Sequence, residues 1–158
     1  MRHKLVAAFI VCLFIVQAGW PQTPAETYSD SPVLPAGIQG QRIQSLIDTL
    51  NSGNPERVSK FISTECGERF RNMAPMDEHI SVFLGFHRET GGIDFHGIRT
   101  YVPEHSGETV VIVKDRNLED WRGLVVRFGK GPDCIIEGLG ISPARPPKSV
   151  QEPPLTQE

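Results

Sequence analysis

His87-Arg88-Glu89-Thr90-Gly91-Gly92-Ile93-Asp94-Phe95-His96 is the stretch on which the fold turns. Before it, Ile80, Phe83, Leu84 and then His87 lie along one stripe at helical spacing. After it, Ile98 and Tyr101 sit in a run with strand character. The paired glycines between them end a helix, because glycine accepts the left-handed backbone that closes a last turn. The change of period at Gly91-Gly92 therefore divides a helical half from a strand half.

Upstream, three helices are expected. Ile43, Leu46, Ile47 and Leu50 form the apolar face of the first, which starts at Ile38 and ends at Asn51-Ser52-Gly53. Asn54-Pro55-Glu56 opens the second: an N-cap acceptor, a proline where no amide is needed, and an acid at the positive end. Val58, Phe61 and Ile62 are its inner face, and it stops by Gly67. The third begins near Pro75, with Asp77 and Glu78 in its first turn. Downstream, four strands are expected at 93–102, 109–113, 121–128 and 134–141. In the third, Leu124, Val126 and Phe128 share a face; in the fourth, Ile135, Leu139 and Ile141 do. The short, turn-rich connections favour antiparallel pairing. The expectation is an α+β domain: three N-terminal helices packed on a curved four-stranded antiparallel meander.

The prolines bound this unit. Of 13 prolines in 158 residues, nine lie outside residues 38–142 and only Pro55, Pro75, Pro103 and Pro132 lie inside. Residues 19–37 accordingly read as a Pro-rich linker and 143–158 as a disordered Pro-rich tail. Residues 1–18 read as a signal peptide. Arg2, His3 and Lys4 form a basic start, residues 5–16 form an apolar run, and Val16-Gln17-Ala18 fits a cleavage site. A helix over that run would span about 18 Å, short of the ~30 Å hydrocarbon core. No stable membrane anchor is expected after cleavage, and the location is exported, periplasmic or extracellular. Cleavage removes Arg2 and Lys4 and no acid, so the net charge of −3 becomes −5, from 14 cations and 19 acids. A mildly acidic chain without a basic stripe is not a nucleic-acid binder.

Cys66 and Cys134 survive the cut. Two thiols in an oxidising compartment suggest a disulfide; two separate buried thiols are the alternative. The bond would close 67 intervening residues, contributing about 4 kcal/mol in the chain-entropy picture. Glu65 and Glu68 flank Cys66 and oppose a thiolate there, which argues against a nucleophilic role.

The opening Ala36-Gly37 with Leu50-Asn51-Ser52-Gly53, the exit Glu89-Thr90-Gly91-Gly92, and the ending Glu137-Gly138-Leu139-Gly140-Ile141-Ser142-Pro143 carry a resemblance. Over about residues 36–143 the chain resembles a cystatin-like or NTF2-like α+β domain. More narrowly, it resembles accessory domains joined to exported beta-lactamase-like serine hydrolases and tail-specific-type (S41-like) peptidases. The resemblance implies a non-catalytic accessory or binding module that meets a hydrolase or peptide partner, or a small ligand in its cavity. It also implies an alternative, since some NTF2-like relatives are isomerases or hydratases with an acid–base residue inside the cavity.

The residues themselves limit the chemistry. There is no Ser-x-x-Lys and no Gly-x-Ser-x-Gly; Gly140-Ile141-Ser142-Pro143-Ala144 comes nearest, and Pro143 lacks the amide an oxyanion hole would use. No phosphate-binding or dinucleotide fingerprint is present, and no cofactor is implied. The histidines of the body, His79, His87, His96 and His105, lack metal-ligand spacing, so no metal site is expected. His79 and His105 fall on polar stretches and are expected at the surface. His87 lies on the apolar stripe of the third helix, and Asp94, His96 and Ile98 share a face of the first strand by alternation. As hydrogen-bonded histidines, His87 and His96 are structural. In a pocket between helix and sheet, Asp94, His96, Tyr101 and His87 are the candidate acid–base residues. Convergence of these side chains on open space would favour an enzyme; an interior filled by Phe83, Phe95 and Leu124 would not.

Overall fold

The computed structural model describes residues 27–105 and 107–151; the signal-peptide expectation at 1–18 lies outside them. Four helices come first after a short strand. They are α1 (Ile38–Ser52), α2 (Pro55–Glu65), the single-turn α3 (Glu68–Arg71) and α4 (Met76–Thr90). The strands are β1 (Thr27–Ser31), β2 (Ile93–Val102), β3 (Glu108–Asp115), β4 (Trp121–Phe128) and β5 (Ile136–Pro143), followed by a last turn of helix, α5 (Lys148–Gln151). The strands form one open sheet in the order β1-β2-β3-β4-β5, antiparallel throughout.

The helix ends follow from local chemistry. Asn54 accepts the Arg57 amide at 2.8 Å, with Pro55 at the first helical position. Gly53 and Gly91 close α1 and α4 in left-handed backbone, with φ of 56° and 66°. The helices lie on one face of the sheet. Ile43, Leu46, Ile47 and Leu50 of α1, Val58, Phe61 and Ile62 of α2, and Phe83 and Phe86 of α4 meet Ile93, Val111, Val113, Leu124, Val126 and Ile136. That layer is the hydrophobic core, and burial of apolar side chains is its main source of stability.

Five strands replace the expected four. β1 comes from the segment expected to be a linker, and pairs with β2 from Thr27↔Val102 to Ser31↔Ile98. Its sequence, Thr-Tyr-Ser-Asp-Ser, has no apolar alternation because its half-buried side chains are Tyr28 and Asp30. Asp30 is there for a charge: Arg99, 4% exposed, donates to it from Nε at 2.8 Å and from a terminal nitrogen at 3.1 Å. A paired buried carboxylate can occupy a place that hydropathy reserves for an apolar residue.

The residues after β5 also take part. Ala144 donates to the Trp121 carbonyl at 2.9 Å, Arg99 donates to the Arg145 carbonyl at 3.0 Å, and the Tyr28 hydroxyl donates to Pro146 at 3.5 Å. Pro147 is buried. Residues 144–148 thus run from β4 to β1 across the face away from the helices, where Val110 and Ile112 are buried outside the helix-side core. The early part of the Pro-rich tail is a strap on the sheet. Proline suits it, since the strap needs few amide donors and its backbone is already restricted.

Two bulges shift the expected alternation. In β2 the register slips between Phe95 and Gly97, so Ile93, Phe95 and Ile98 face the helices while Asp94 and Arg99 face away. Ile98 therefore does not share the face of Asp94. Gly97 adopts φ 153°, and a Cβ there would come within 2.7 Å of the Ser31 carbonyl oxygen. In β5 the slip opposite Arg127 and Phe128 makes Ile136, not Ile135, the buried residue.

Candidate functional site

The four acid–base candidates are dispersed. Asp94 is on the exposed outer face, held by Arg116 at 2.7 and 3.1 Å. The Arg116 guanidinium keeps its carboxyl below the ordinary carboxylate range, which makes it a weaker base. His96 packs edge-on against Trp121, with ring centroids 4.6 Å apart. Tyr101 lies seven residues further along β2 than Asp94, about 20 Å at strand rise. It is sandwiched between Tyr28 and His105, with centroids at 6.2 and 4.4 Å. His87 donates from Nδ1 to the Leu50 carbonyl at 3.0 Å and ties α4 to α1. The space between helices and sheet is filled: Leu124 is fully buried, Phe83 is 5% exposed, and Phe95, partly buried, packs against the same core.

Cys66 and Cys134 are free thiols, Cys66 buried and Cys134 half-buried. Their neighbourhoods adjoin. Cys66 forms an isolated parallel bridge with Ile136, and Arg42 joins Glu65 to the Asp133 carbonyl. Burial, then the Glu65 charge, pushes the Cys66 thiol up to about 12, so it is no nucleophile near neutrality. Among the described residues, no group of three or more His, Cys, Asp or Glu side chains could hold a metal ion. No helix among them is long and apolar enough to cross a membrane.

The arrangement with binding chemistry lies elsewhere. Between α4, the α3–α4 connection and β5 runs an apolar groove of about 390 Å³. Phe70, Met73, Val82, Phe83, Leu139 and Ile141 are among its lining residues. Met73 and Val82 are each 67% exposed and Ile141 42%, so three large apolar side chains face solvent on one surface. Glu78 and His79, at the start of α4, also line it.

His79 is the residue that sequence reasoning placed wrongly. Expected at the surface, it is 8% exposed and stacks on Phe70, with centroids 4.9 Å apart and planes at 19°. Its Nε2 is buried and has no hydrogen-bond partner. Such an atom costs free energy, about 1–3 kcal/mol for an ordinary unsatisfied polar group. The signal was in the sequence: His79, Phe83, Phe86 and Thr90 follow at intervals of four, three and four, and all are buried. The polar neighbours Asp77 and Glu78 obscured it.

No family model, no curated protein and no solved structure matches this chain.

Proposed function

We propose that this chain is an exported, non-catalytic binding or accessory module, of the cystatin-like or NTF2-like type attached to serine hydrolases and peptidases, and that the groove beside α4 is its working surface. The orphaned Nε2 of His79 carries this reading. An apolar groove with one uncompensated polar atom among its lining residues matches the general plan of ligand sites: apolar walls give affinity, and a few polar groups fix orientation. The dispersal of Asp94, His96, Tyr101 and His87 supports binding over acid–base chemistry.

The test uses Nile red, a neutral apolar dye. Its emission should rise and shift to the blue, saturably, as the protein is titrated in. Val82→Glu should weaken that binding at least about tenfold, because a charge in the groove would lose hydration when the dye docks. Val82 is exposed, so far-ultraviolet circular dichroism should be unchanged. No saturable response, or equal binding by the Val82→Glu variant, would refute the groove as the working surface.

A further inference from the structure

The groove borders a sheet edge, and the two features are continuous. β5 pairs with β4 on one side only. On its other side the described chain makes one isolated pairing, at the strand's first residue. There Cys66 bridges Ile136 in parallel, and the Gly67 amide donates to the Ile136 carbonyl at 2.8 Å. The chain then turns into α3, which packs beside the start of the strand. Beyond it, among the described residues, no strand or backbone hydrogen bond meets the outward side of Leu139 or Ile141.

The hydrogen-bond phase of that edge can be read from its end. Arg122 pairs with Pro143, and the Ala144 amide donates to the Trp121 carbonyl at 2.9 Å. Alternation in an antiparallel ladder then turns the amides and carbonyls of Ser142 and Gly140 toward β4, and those of Leu139 and Ile141 outward. Pro143 adds an outward carbonyl with no amide. Leu139, Gly140 and Ile141 also line the groove, so the outward main-chain groups and the apolar wall form one surface.

The charge on this surface has one sign. Among the described residues lining the groove, Glu78 is the only acid or Lys/Arg side chain, and it is exposed. Among the described residues it makes no ion pair, and Asp77 stands beside it in the first turn of α4.

We infer that the occupant is an extended peptide segment that adds to β5 as a sixth strand, places an apolar side chain in the groove and sets a basic residue opposite Glu78. The inference rests on the groove reading above. Main-chain hydrogen bonds along the edge supply affinity that does not depend on sequence, and the groove with Glu78 selects side chains. An apolar small molecule would satisfy the wall and leave the edge unused.

A capped octapeptide alternating Val and Lys is the probe, titrated into the full chain by calorimetry. Three comparisons accompany it: a twin N-methylated at alternate amides, a twin with Glu for Lys, and Nile red alone. The Val/Lys peptide should bind saturably and displace Nile red. N-methylation should weaken it about tenfold or more, from the loss of two edge hydrogen bonds. The Glu twin should bind more weakly than the Lys peptide, and Glu78→Gln should narrow that gap. Equal binding of the N-methylated peptide would overturn the strand addition. Nile red binding without peptide binding would overturn the peptide occupant and leave the groove intact. Failure of Nile red as well would remove the groove reading itself.

Discussion

At the scale of single residues, two buried polar groups have opposite fates. Asp115 is satisfied: it accepts the Leu118 amide at 2.7 Å and Arg122 Nε at 3.0 Å, and its side chain is fully buried. Burial alone would raise its carboxyl pKa; these partners overcome that, and the net shift is downward. A carboxyl whose folded value lies below its unfolded value of about 3.9 stabilises the fold above that pH, and the contribution is lost as pH falls through the folded value. Asp115→Asn should therefore cost about 2–4 kcal/mol at pH 7. The gap between wild type and variant should shrink in urea melts below about pH 4. A gap that stays constant with pH would contradict this role. His79 is unsatisfied, so its replacement should act the other way. His79→Phe keeps the ring on Phe70 and removes the orphan nitrogen, and should raise stability by about 1 kcal/mol in the same melts. A loss of stability would mean that the imidazole has a partner after all.

At the scale of elements, what was legible depended on whether local pattern and tertiary role agreed. α1 and α2 were plain, because capping signals and apolar stripes pointed the same way at Asn54-Pro55 and at Ile43, Leu46, Ile47 and Leu50. The four long strands were plain for a similar reason: runs such as Val110-Val111-Ile112-Val113 suit only a pleated, covered surface. The faces of β2 and β5 were not, since each carries a bulge and alternation fails across an inserted residue. β1 was hidden because its half-buried charge, on the face away from the helices, is matched by Arg99, 69 positions away, and no local window contains both. The groove was hidden for a related reason. It needs α4, the turn after α3 and the edge of β5 to meet, and only His79 left a periodic trace in the sequence. The acid–base candidates share only their residue types, and the fold gives each of them a separate partner.

At the scale of the whole molecule, Arg99 is the clasp. Its guanidinium lies 3.8 Å over the Tyr28 ring, pairs with Asp30 of β1 and donates to Arg145 of the strap. The folded unit consequently includes the described parts of both proline-rich margins, residues 27–37 and 143–151. Arg99→Ala should cost about 3–5 kcal/mol, because it leaves Asp30 buried without its cation. It should also open residues 27–31 and 144–151 to limited proteolysis while the core between them resists longer. Unchanged stability and an unchanged cleavage pattern would show that the margins are held by other contacts. The strap also sets where the described residues begin and end. Lys148 stands 5.2 Å over Tyr28, so the first strand and the last turn meet at the β1 border, on the opposite side of the sheet from β5. The described residues thus begin and end at one rim of the sheet, and the groove beside β5 lies at the opposite rim. A body seated in the groove would therefore leave the β1 border and the strap uncovered, so that contact at one rim does not compete with contact at the other.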